Sequence, residues 1–257
     1  MKPLVSVIIP TYNCGKFIQE SVQSVINQTV DDWEIQLVDD CSTDNTKDII
    51  DPFLKRFPNI HYYLFKNNYG PAVARSEAIK QAKGKYCAFL DSDDIWMPDK
   101  IERQISFMEK NKIDFSCSAY RLMGIQGNDF HRIIIPPAHT SYKKCILLSN
   151  PISNLTAVYN QDSLGKFVVP PIKKRNDFAL WLQILKKTEF CYGLKDVLAS
   201  YRTGRTESVS HNKFSQAKYH WELYHNIEKH NVLRSLFEMG CWAFVKGTKL
   251  GIKTQKA

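Results

Sequence analysis

The sequence lacks the patterns of secreted, membrane-spanning and zinc-binding proteins. Its seven cysteines stand singly, with no C-x-x-C pair, so neither a disulfide framework nor a zinc site is predicted. No stretch reaches the ~18 consecutive apolar residues of a transmembrane helix. The apolar run that ends at Pro10 is too short for a signal peptide. These absences favour a reduced, cytoplasmic setting.

Two nucleotide-binding motifs are also missing. The sequence contains neither G-x-x-x-x-G-K-[ST] nor a G-x-G-x-x-G after the first predicted strand. This argues against P-loop phosphoryl transfer and against nicotinamide chemistry. The net charge of +9 is moderate, and no basic run of the kind that marks nucleic-acid-binding tails is present. Nucleic acid is therefore not an expected partner.

The first ~120 residues alternate strand and helix signals, as α/β proteins do. Strands are predicted over residues 5–9, 34–38, 60–65 and 86–90, and helices over residues 16–28, 71–83 and 99–110, with a further helix ending near residue 57. This order predicts an α/β fold with a mostly parallel central sheet and helices on both faces. Because the crossovers between parallel strands are right-handed, the carboxyl ends of these strands should meet at one edge.

Beyond Asp114 the regular alternation stops. Short strands are predicted over residues 133–135, 156–159, 190–194 and 197–202, and a helix over residues 175–187. No linker-like stretch separates this part from the first, so residues 1–211 are expected to form one domain with halves at 1–113 and 114–211. Residues 214–257 are predicted to form a helical, aromatic and basic extension.

The run Asp91-Ser92-Asp93-Asp94 directly follows a predicted strand. Three carboxylates this close repel one another unless a cation lies among them, and oxygen ligands suit a hard ion such as Mg2+ or Mn2+. The simpler role for such aspartates is to cap the helix that begins near Pro98. The preferred interpretation is a metal that holds a phosphate-bearing substrate at the edge of the sheet.

Two further signals fall on the same edge. Asp39 and Asp40 end the second strand, where a carboxylate can accept hydrogen bonds from a ribose or a base; such acids can also be solvated or cap a helix. Arg75 lies one turn into the helix that Pro71 opens, beside free N–H groups that suit phosphate oxygens. An exposed helical arginine is the structural alternative.

Four motifs occur in the order and at the spacing of a known family. They are Val5-Ser6-Val7-Ile8-Ile9-Pro10-Thr11-Tyr12-Asn13, Val38-Asp39-Asp40-Cys41-Ser42-Thr43-Asp44, the segment 70–79 with Ala74-Arg75, and Asp91-Ser92-Asp93-Asp94. Together they resemble the family 2 glycosyltransferases, which have the A-type nucleotide-diphospho-sugar transferase fold. The resemblance is strong over residues 4–110 and looser as far as residue 211.

The resemblance implies a site for a nucleotide-sugar donor in residues 1–113 and an acceptor-binding half in residues 114–211. The implied donor-binding residues of the first half are Pro10, Thr11, Tyr12, Asp39, Asp40, Arg75, Asp91 and Ser92. Among them Asp40 would contact the base and Asp91 the ribose side, while Asp93 would bind the metal, Mn2+ or Mg2+. Cys41 departs from the small residue, often glycine, that is usual in its loop.

The resemblance also implies a catalytic base. Residues 174–181 are similar to the family's base segment, with Asp177 in the base position. Apolar Phe178, Leu180 and Trp181 follow and could raise the pKa of this carboxyl group. The structural alternative is an acid that only complements the helix dipole.

A late active-site loop is implied over residues 201–211. Arg202 and Arg205 suit a diphosphate, and His211 is a candidate metal ligand. The tail from residue 214 follows, in which aromatic side chains are combined with lysines. Such a tail suits a helix on an anionic membrane surface, or one that packs on the domain or on a partner subunit.

The function that the resemblance implies is inverting, metal-dependent transfer of one sugar from a nucleotide-diphospho-sugar, with UDP favoured. The acceptor would be a glycan, with a lipid-linked one fitting best, in bacterial surface-polysaccharide synthesis such as that of capsule, teichuronic acid or lipopolysaccharide. The chain would be cytoplasmic and could be peripheral on the inner face of the membrane. The alternatives are a sugar nucleotidyltransferase and a non-catalytic nucleotide-sugar-binding module.

Overall fold

Strands and helices alternate along most of the chain, as the computed structural model shows for residues 2–148, 150–204, 213–248 and 253–256. The strands are β1 Val5–Thr11, β2 Trp33–Asp39, β3 Ile60–Leu64, β4 Tyr86–Phe89, β5 Ile95–Trp96, β6 Phe115–Met123, β7 Asp129–Ile135, β8 His139–Thr140, β9 Val158–Asn160, β10 Cys191–Arg202 and β11 Lys253–Lys256. The helices are α1 Ile18–Ile26, α2 Thr46–Arg56, α3 Pro71–Gln81, α4 Lys100–Asn111, α5 Tyr142–Leu147, α6 Gln161–Leu164, α7 Asn176–Leu185, α8 Lys213–Trp221 and α9 Val232–Thr248. A 3₁₀ turn at Asn154–Thr156 precedes β9, and a π-helical turn at Glu222–Ile227 follows α8.

The centre of the sheet is parallel. β4, β1, β2 and β3 lie side by side in that order and run in the same direction. Next to β4, β9 pairs antiparallel with both β4 and β6, and β7 and β11 extend that edge. β10 runs parallel to β6 and also pairs with β5 and β8. The α/β fold class is therefore confirmed, with antiparallel strands added by the second half.

β1 shows why a continuous apolar run marks a central strand. All of its residues are buried. Ile8 packs in the layer that contains α3 and α7, whereas Val7 and Ile9 pack in the layer that contains α1 and α4. Since helices cover both faces of the sheet, every position of the strand favours an apolar side chain.

β6 is a strand that the sequence pattern did not predict. Its buried positions include Ser116 and Ser118, which interrupt the apolar run. The Ser116 Oγ accepts a hydrogen bond from Gln104 Nε2 of α4 at 3.0 Å. The Ser118 hydroxyl bonds to the carbonyl of the next residue, Ala119. Because both buried hydroxyl groups have partners, a strand forms where the local pattern looks polar.

The two strands predicted over residues 190–194 and 197–202 are one strand, β10. Its pairing with β6 shifts register between Leu194 and Val197 and again between Val197 and Ala199. The polar residues Lys195 and Asp196 occupy this irregularity, which explains why the apolar pattern breaks there.

The C-terminal region is helical, as predicted, up to Thr248. α9 packs against α5 and α8, and the His220 ring of α8 lies 4.3 Å from the Trp242 ring of α9 between centroids. Residues 253–256 instead form β11, which the helical prediction did not include. Within the described ranges, no helix is both long and apolar enough to cross a bilayer.

Candidate active site

The carboxyl ends of β1, β2 and β4 bring polar residues to one edge of the sheet. Thr11 ends β1, Asp39 ends β2, and Asp91 follows shortly after β4. The backbone N–H of Asp40 donates to the Thr11 carbonyl at 2.9 Å and so joins two of these strand ends. The shared edge follows from the parallel order of the strands.

Asp40 organises the loop that leads into α3. Its Oδ1 accepts a hydrogen bond from the Tyr69 N–H and its Oδ2 from the Gly70 N–H, both at 2.7 Å. Burial raises the pKa of Asp40, and the two N–H donors oppose that rise. Gly70 has a φ of +90°, a conformation that favours glycine, immediately before α3. The carboxylate is thus fixed at the site edge beside the start of α3.

Asp39 is enclosed by the protein. Its side chain is fully buried, Oδ1 accepts from the Ser42 N–H, and Oδ2 accepts from the Tyr62 hydroxyl, both at 2.7 Å. Burial and the bond to Asp39 raise the pKa of Tyr62, which keeps this phenol a donor. The structure therefore places Asp39 as a support for the loop that carries Asp40.

The end of β1 offers an aromatic ring beside a buried hydroxyl group. Pro10 and Thr11 are buried, and the Thr11 Oγ1 has no hydrogen-bond partner in the described chain. Tyr12, directly after the strand, is 48% exposed. An exposed ring can stack on the flat face of a ligand, and the orphaned hydroxyl group can bond to one.

A buried polar cluster joins the end of β4 to the first turn of α7. The Arg75 guanidinium donates through Nη2 to Asp91 Oδ1 at 3.2 Å and through Nη1 to Asn176 Oδ1. Asn154 Nδ2 donates to the same Asp91 oxygen at 2.8 Å. Arg75 is only 5% exposed, so it is not a solvated helical arginine.

Asp91 keeps one oxygen available to a ligand. Its hydrogen bonds within the described chain both fall on Oδ1, and its side chain is 32% exposed. Burial raises the pKa of Asp91 to about 6, Arg75 opposes this rise, and the carboxylates of Asp93 and Asp177 add to it. The effect of Asp177 shows that the first turn of α7 lies close to the acidic run.

Asp177 lies in the first turn of α7, directly after Asn176. Its side chain is partly buried, and Phe178 and Leu180, which follow, are buried in the core. Arg175, the residue before the helix, has a φ of +66°. The helix therefore presents the predicted base at its amino end.

Arg202 is surrounded by protein acceptors. Its backbone N–H donates to Asp94 Oδ1 at 2.8 Å, and its Nε donates to the Asp93 carbonyl at 2.8 Å. Nη1 donates to the Ile125 carbonyl at 2.6 Å and Nη2 to Glu20 Oε2 at 2.7 Å. The sequence suggests a diphosphate ligand here, but the structure shows a buried arginine that braces the acidic run.

Within the acidic run, Ser92 and Asp94 point into the protein. Ser92 is buried, and its carbonyl accepts a bond from Cys14 Sγ at 3.2 Å. Asp94 is fully buried, and its Oδ2 has no partner in the described chain. Burial, with help from Asp93 and Asp91, raises the pKa of Asp94 well above its usual range. Asp91 and Asp93, which are only partly buried, are thus the carboxylates of the run at the surface of the site.

Two of the predicted residues, Arg205 and His211, lie outside the described part of the chain. Three residues that structure the site were not singled out from the sequence: Asn154, Asn176 and Glu20. Asn176 directly precedes the predicted base and could have been suspected. Asn154 lies far from the motifs along the chain, and Glu20, in α1, lies far from Arg202; only the fold brings them to Asp91 and Arg202.

Asp91 and Asp93 are the side chains whose chemistry fits a hard divalent ion. Across the described ranges, no group of three or more His, Cys, Asp and Glu side chains comes together as a metal cage. Mg2+ is commonly held by one or two carboxylates, with water and substrate phosphates in the other positions. Two carboxylates at an open edge therefore fit an ion that arrives with its substrate.

The chain matches the family described as Glycosyl transferase family 2 over residues 6–164. The chain belongs to this family. It is 39% identical over 252 residues to a Bacillus subtilis (strain 168) protein provisionally named as the teichuronic acid biosynthesis glycosyltransferase TuaG, covering 98% of this chain and 97% of that one. The predicted enzyme class, a glycosyltransferase, is thereby confirmed.

A second relative and two solved structures are similar over most of the chain. The Escherichia coli UDP-Glc:alpha-D-GlcNAc-diphosphoundecaprenol beta-1,3-glucosyltransferase WfgD is 37% identical, covering 86% of this chain and 85% of WfgD.

The structure of Staphylococcus aureus TarS 1-349 with UDP-GlcNAc has a TM-score of 0.67 at 21% identity, covering 95% of this chain and 71% of TarS 1-349. In another TarS structure, the matched region makes up only 39% of the TarS chain. The Pyrobaculum calidifontis mannosyltransferase PcManGT, solved with GDP-Man and Mn2+, has a TM-score of 0.64 at 15% identity, covering 98% of this chain and 76% of PcManGT. At these identities the structural likeness concerns the fold.

Proposed function

We propose that this glycosyltransferase moves one sugar, with inversion, from a nucleotide-diphospho-sugar to a hydroxyl group of a glycan acceptor. The observation that carries the proposal is the cluster of Arg75, Asp91 and Asn176, which joins the end of β4 to the first turn of α7. The strand end supplies carboxylates for a donor, and the helix supplies Asp177 for an acceptor. Two substrates that react directly must be held side by side in this way.

The proposed donor is a UDP-sugar bound at the ends of β1, β2 and β4. The exposed Tyr12 ring would stack on the base, and Asp40 would accept from it. Asp39 and Arg75 would act by holding Asp40 and Asp91 in place. The name of WfgD specifies UDP-Glc as its donor, which supports a uridine nucleotide here.

Asp177 is the proposed general base. It would take the proton of the acceptor hydroxyl group while that oxygen attacks the anomeric carbon from the face opposite the diphosphate. The new carbon–oxygen bond forms as the bond to the diphosphate breaks, so the sugar configuration inverts without a covalent sugar–enzyme intermediate. The buried residues behind Asp177 fix the direction of its carboxylate.

Asp93, with Asp91, would hold Mn2+ or Mg2+ when the donor is bound. Such an ion supplies positive charge that stabilises a departing diphosphate. Arg202 stabilises the backbone of the acidic run by donating a hydrogen bond to the Asp93 carbonyl. We retain Arg205 and His211 as proposed diphosphate and metal ligands on the basis of the sequence alone.

The proposed acceptor is a lipid-linked glycan in the synthesis of a bacterial surface polysaccharide, at the cytoplasmic face of the membrane. The names of TuaG and WfgD, which specify teichuronic acid and a diphosphoundecaprenol acceptor, support this choice. In this proposal residues 1–113 bind the nucleotide, residues 114–211 bind the acceptor, and residues 214–257 lie nearest to the membrane.

A donor panel tests the proposal. Thermal unfolding is measured with UDP-, dTDP- and GDP-sugars, with and without Mn2+, and sugar transfer to a diphospholipid-linked GlcNAc is followed by mass spectrometry. We expect one class of UDP-sugar to raise the Tm in a metal-dependent way and to yield a product one sugar longer with release of UDP. Asp93→Asn should abolish the metal-dependent rise in Tm. Asp99→Asn, which changes a surface acid that pairs with Arg103, should not.

Two results would contradict the proposal. If no nucleotide sugar stabilises the protein, the donor site is wrong. If sugar 1-phosphate is formed or consumed instead of UDP, the reaction is nucleotidyl transfer.

A further inference from the structure

Helix α9 exposes most of its large apolar side chains to solvent, although two of the three residues that it buries are polar. The side chains that it buries are Ser235, Glu238 and Val245. Its large exposed apolar side chains are between 50% and 80% exposed and comprise Val232, Leu233, Leu236, Phe237 and Phe244. A helix of a protein that acts alone in water has the opposite arrangement.

The exposed residues form a single stripe. At 3.6 residues per turn, Leu233, Phe237 and Phe244 are one and three turns apart along the helix and lie over the same face. Leu236 borders this row, and Gly240 occupies its middle without a side chain. We call this surface, made of Leu233, Leu236, Phe237 and Phe244, the α9 stripe.

A contact between Glu238 and His230 ties the helix to the segment before it. Glu238 is 2% exposed, its Oε2 lies 2.7 Å from His230 Nδ1, and its Oε1 accepts from Arg234 Nε at 2.9 Å within α9. The Tyr142 hydroxyl of α5 lies 3.2 Å from His230 Nε2 and so extends this contact to the neighbouring helix. Rolling the α9 stripe inward would separate the buried Glu238 from His230, and a buried polar group that loses its partner is costly.

The charges around the α9 stripe are positive. α9 carries three charged residues, of which Glu238 is buried while Arg234 and Lys246 are exposed. The neighbouring helix α5 exposes Lys143 and Lys144 and contains no acid. The two helices therefore present exposed cations and no exposed carboxylate beside an apolar surface.

A cleft between α5 and α9 has the same mixed character. It has a volume of about 430 Å³, and its lining combines apolar and charged side chains: Tyr142, Lys143, Ile146, Leu147, Arg234, Phe237 and Glu238. Because Glu238 pairs with Arg234, Lys143 provides the excess positive charge, which suits the phosphate end of an anionic lipid beside the apolar walls.

We propose that the α9 stripe, with the cations of α5 and α9, docks on the interface of an anionic lipid bilayer. An apolar face bordered by basic residues is the pattern of helices that lie in the membrane interface. A second copy of the chain fits less well, because a symmetric contact would bring the cations of both copies together. The inference extends the proposed function, in which the acceptor is lipid-linked.

Docking through α9 would also position the candidate base. Phe178, directly after Asp177, lies 6.4 Å from the His220 ring of α8, which in turn stacks on Trp242 of α9. This row of packed rings connects the first turn of α7 to the docking helix. A bilayer on the far side of α9 would therefore stand at a fixed distance from the acceptor side of the site.

Vesicle flotation tests the proposal with the full chain. Partitioning is measured on vesicles of phosphatidylcholine alone and of phosphatidylcholine mixed with phosphatidylglycerol, for the wild type and for the triple variant Leu233→Ser/Phe237→Ser/Phe244→Ser. The matched control is Leu64→Ser/Val168→Ser, which removes exposed apolar side chains elsewhere. A second variant, Lys143→Gln/Lys144→Gln, reduces charge alone. Sugar transfer to a water-soluble acceptor and the sedimentation mass are measured on the same preparations.

We expect the wild type and the control to bind the mixed vesicles, less tightly at high salt, and the triple variant to bind at least about tenfold more weakly. The lysine variant should lose its preference for phosphatidylglycerol. Transfer to the soluble acceptor should be unchanged in all of them.

Three outcomes would overturn the docking surface. The first is vesicle binding by the triple variant that equals that of the wild type. The second is a wild type that transfers sugar in solution but does not bind vesicles. The third is a wild type and control that form dimers and do not bind vesicles, while the triple variant is monomeric. Vesicle binding without any sugar transfer would instead count against the proposed function.

Discussion

Asp177 lies at the amino end of α7, near enough to Asp91 to raise the pKa of that group. If Asp177 is the general base, Asp177→Asn keeps the size of the side chain and removes the proton acceptor. We expect kcat to fall by about 10² to 10⁴-fold, while donor binding is retained. Steady-state kinetics and donor-induced thermal shift check this, with Asp162→Asn at a surface position as the control. Turnover close to that of the wild type would remove Asp177 from the mechanism.

Lys100 is a second residue whose chemistry depends on its surroundings. Its Nζ donates to Gln104 Oε1 at 2.5 Å and lies 4.8 Å from the centre of the Trp96 ring, and the residue is only 1% exposed. Burial lowers the pKa of Lys100 from 10.5 to about 7. The folded protein thus keeps this lysine neutral over a range in which the unfolded chain keeps it charged.

A pH-dependent gain in stability follows from Lys100. Between pH 7 and 10.5 the unfolded chain binds a proton that the folded chain does not, so this group makes stability increase with rising pH. The slope is at most about 1.4 kcal/mol per pH unit. Lys100→Met should remove it, as measured by urea unfolding at several pH values, whereas Lys110→Met on the exposed side of α4 should keep it. Equal slopes in the wild type and Lys100→Met would show that Lys100 is charged in the folded state.

At the scale of elements, a contact between Arg75 and Asn176 ties α3 to α7. Asn176→Ala would leave the buried guanidinium short of an acceptor and loosen the turn that carries Asp177. We expect a loss of about 1–3 kcal/mol in the free energy of unfolding and a drop of about tenfold in kcat with a small change in donor KM.

Unfolding and kinetics with both substrates check the role of Asn176. Gln183→Ala, later in the same helix, should change little. Asn176→Asp, which keeps an acceptor for Arg75, should recover most of the stability. A loss of stability without any change in kcat would mean that the contact is only structural.

Gly84 lies where the chain enters β4 beside β1. A Cβ atom at this position would lie 2.5 Å from the Ser6 backbone nitrogen. Gly84→Ala should therefore force β4 away from β1 and cost about 1–3 kcal/mol of stability. Gly240→Ala in α9 meets no atom within 4 Å and should stabilise the helix by up to about 1 kcal/mol. Thermal unfolding checks the prediction, because the Tm should fall for Gly84→Ala and rise for Gly240→Ala. A similar change in Tm for both variants would contradict it.

At the scale of the whole molecule, the two halves share one sheet and one core. β9, from the second half, pairs with β4 of the first half and with β6. Trp181 of α7 lies 5.0 Å from the Phe89 ring and 5.7 Å from the Phe115 ring between centroids. The core is therefore incomplete in residues 1–113 alone and in residues 114–211 alone.

The shared core predicts cooperative unfolding. The full chain should unfold in a single transition, and residues 1–113 expressed alone should lack fixed tertiary structure, because Phe89 and the open edge of β4 would be exposed. Near-UV circular dichroism and limited proteolysis of the fragment and the full chain check this. A folded, protease-resistant fragment would show that the first half is an independent domain.

Local patterns in the sequence predicted the strands and helices of residues 5–110 within a few positions, except for the two-residue strand β5. Period and composition act over short stretches, and the central strands need apolar residues at every position because both of their faces are covered. The same patterns missed β6, where Ser116 is satisfied by Gln104 of a neighbouring helix. They also divided β10 at Lys195 and Asp196, where the strand continues through an irregular register.

The order of the elements, the family motifs and the edge of the sheet where the aspartates meet follow from the sequence, because they depend on local periodicity and on the handedness of crossovers. Which motif residues are enclosed and which are open to a ligand depends on the tertiary structure. Asp39 and Asp94 are buried, and Arg202 bonds to the backbone of the acidic run. Arg75 bonds to Asn176 across two helices, and α9 exposes large apolar side chains. Burial and hydrogen-bond partners come from residues far apart in the chain, and they set the charge and the exposure on which function depends.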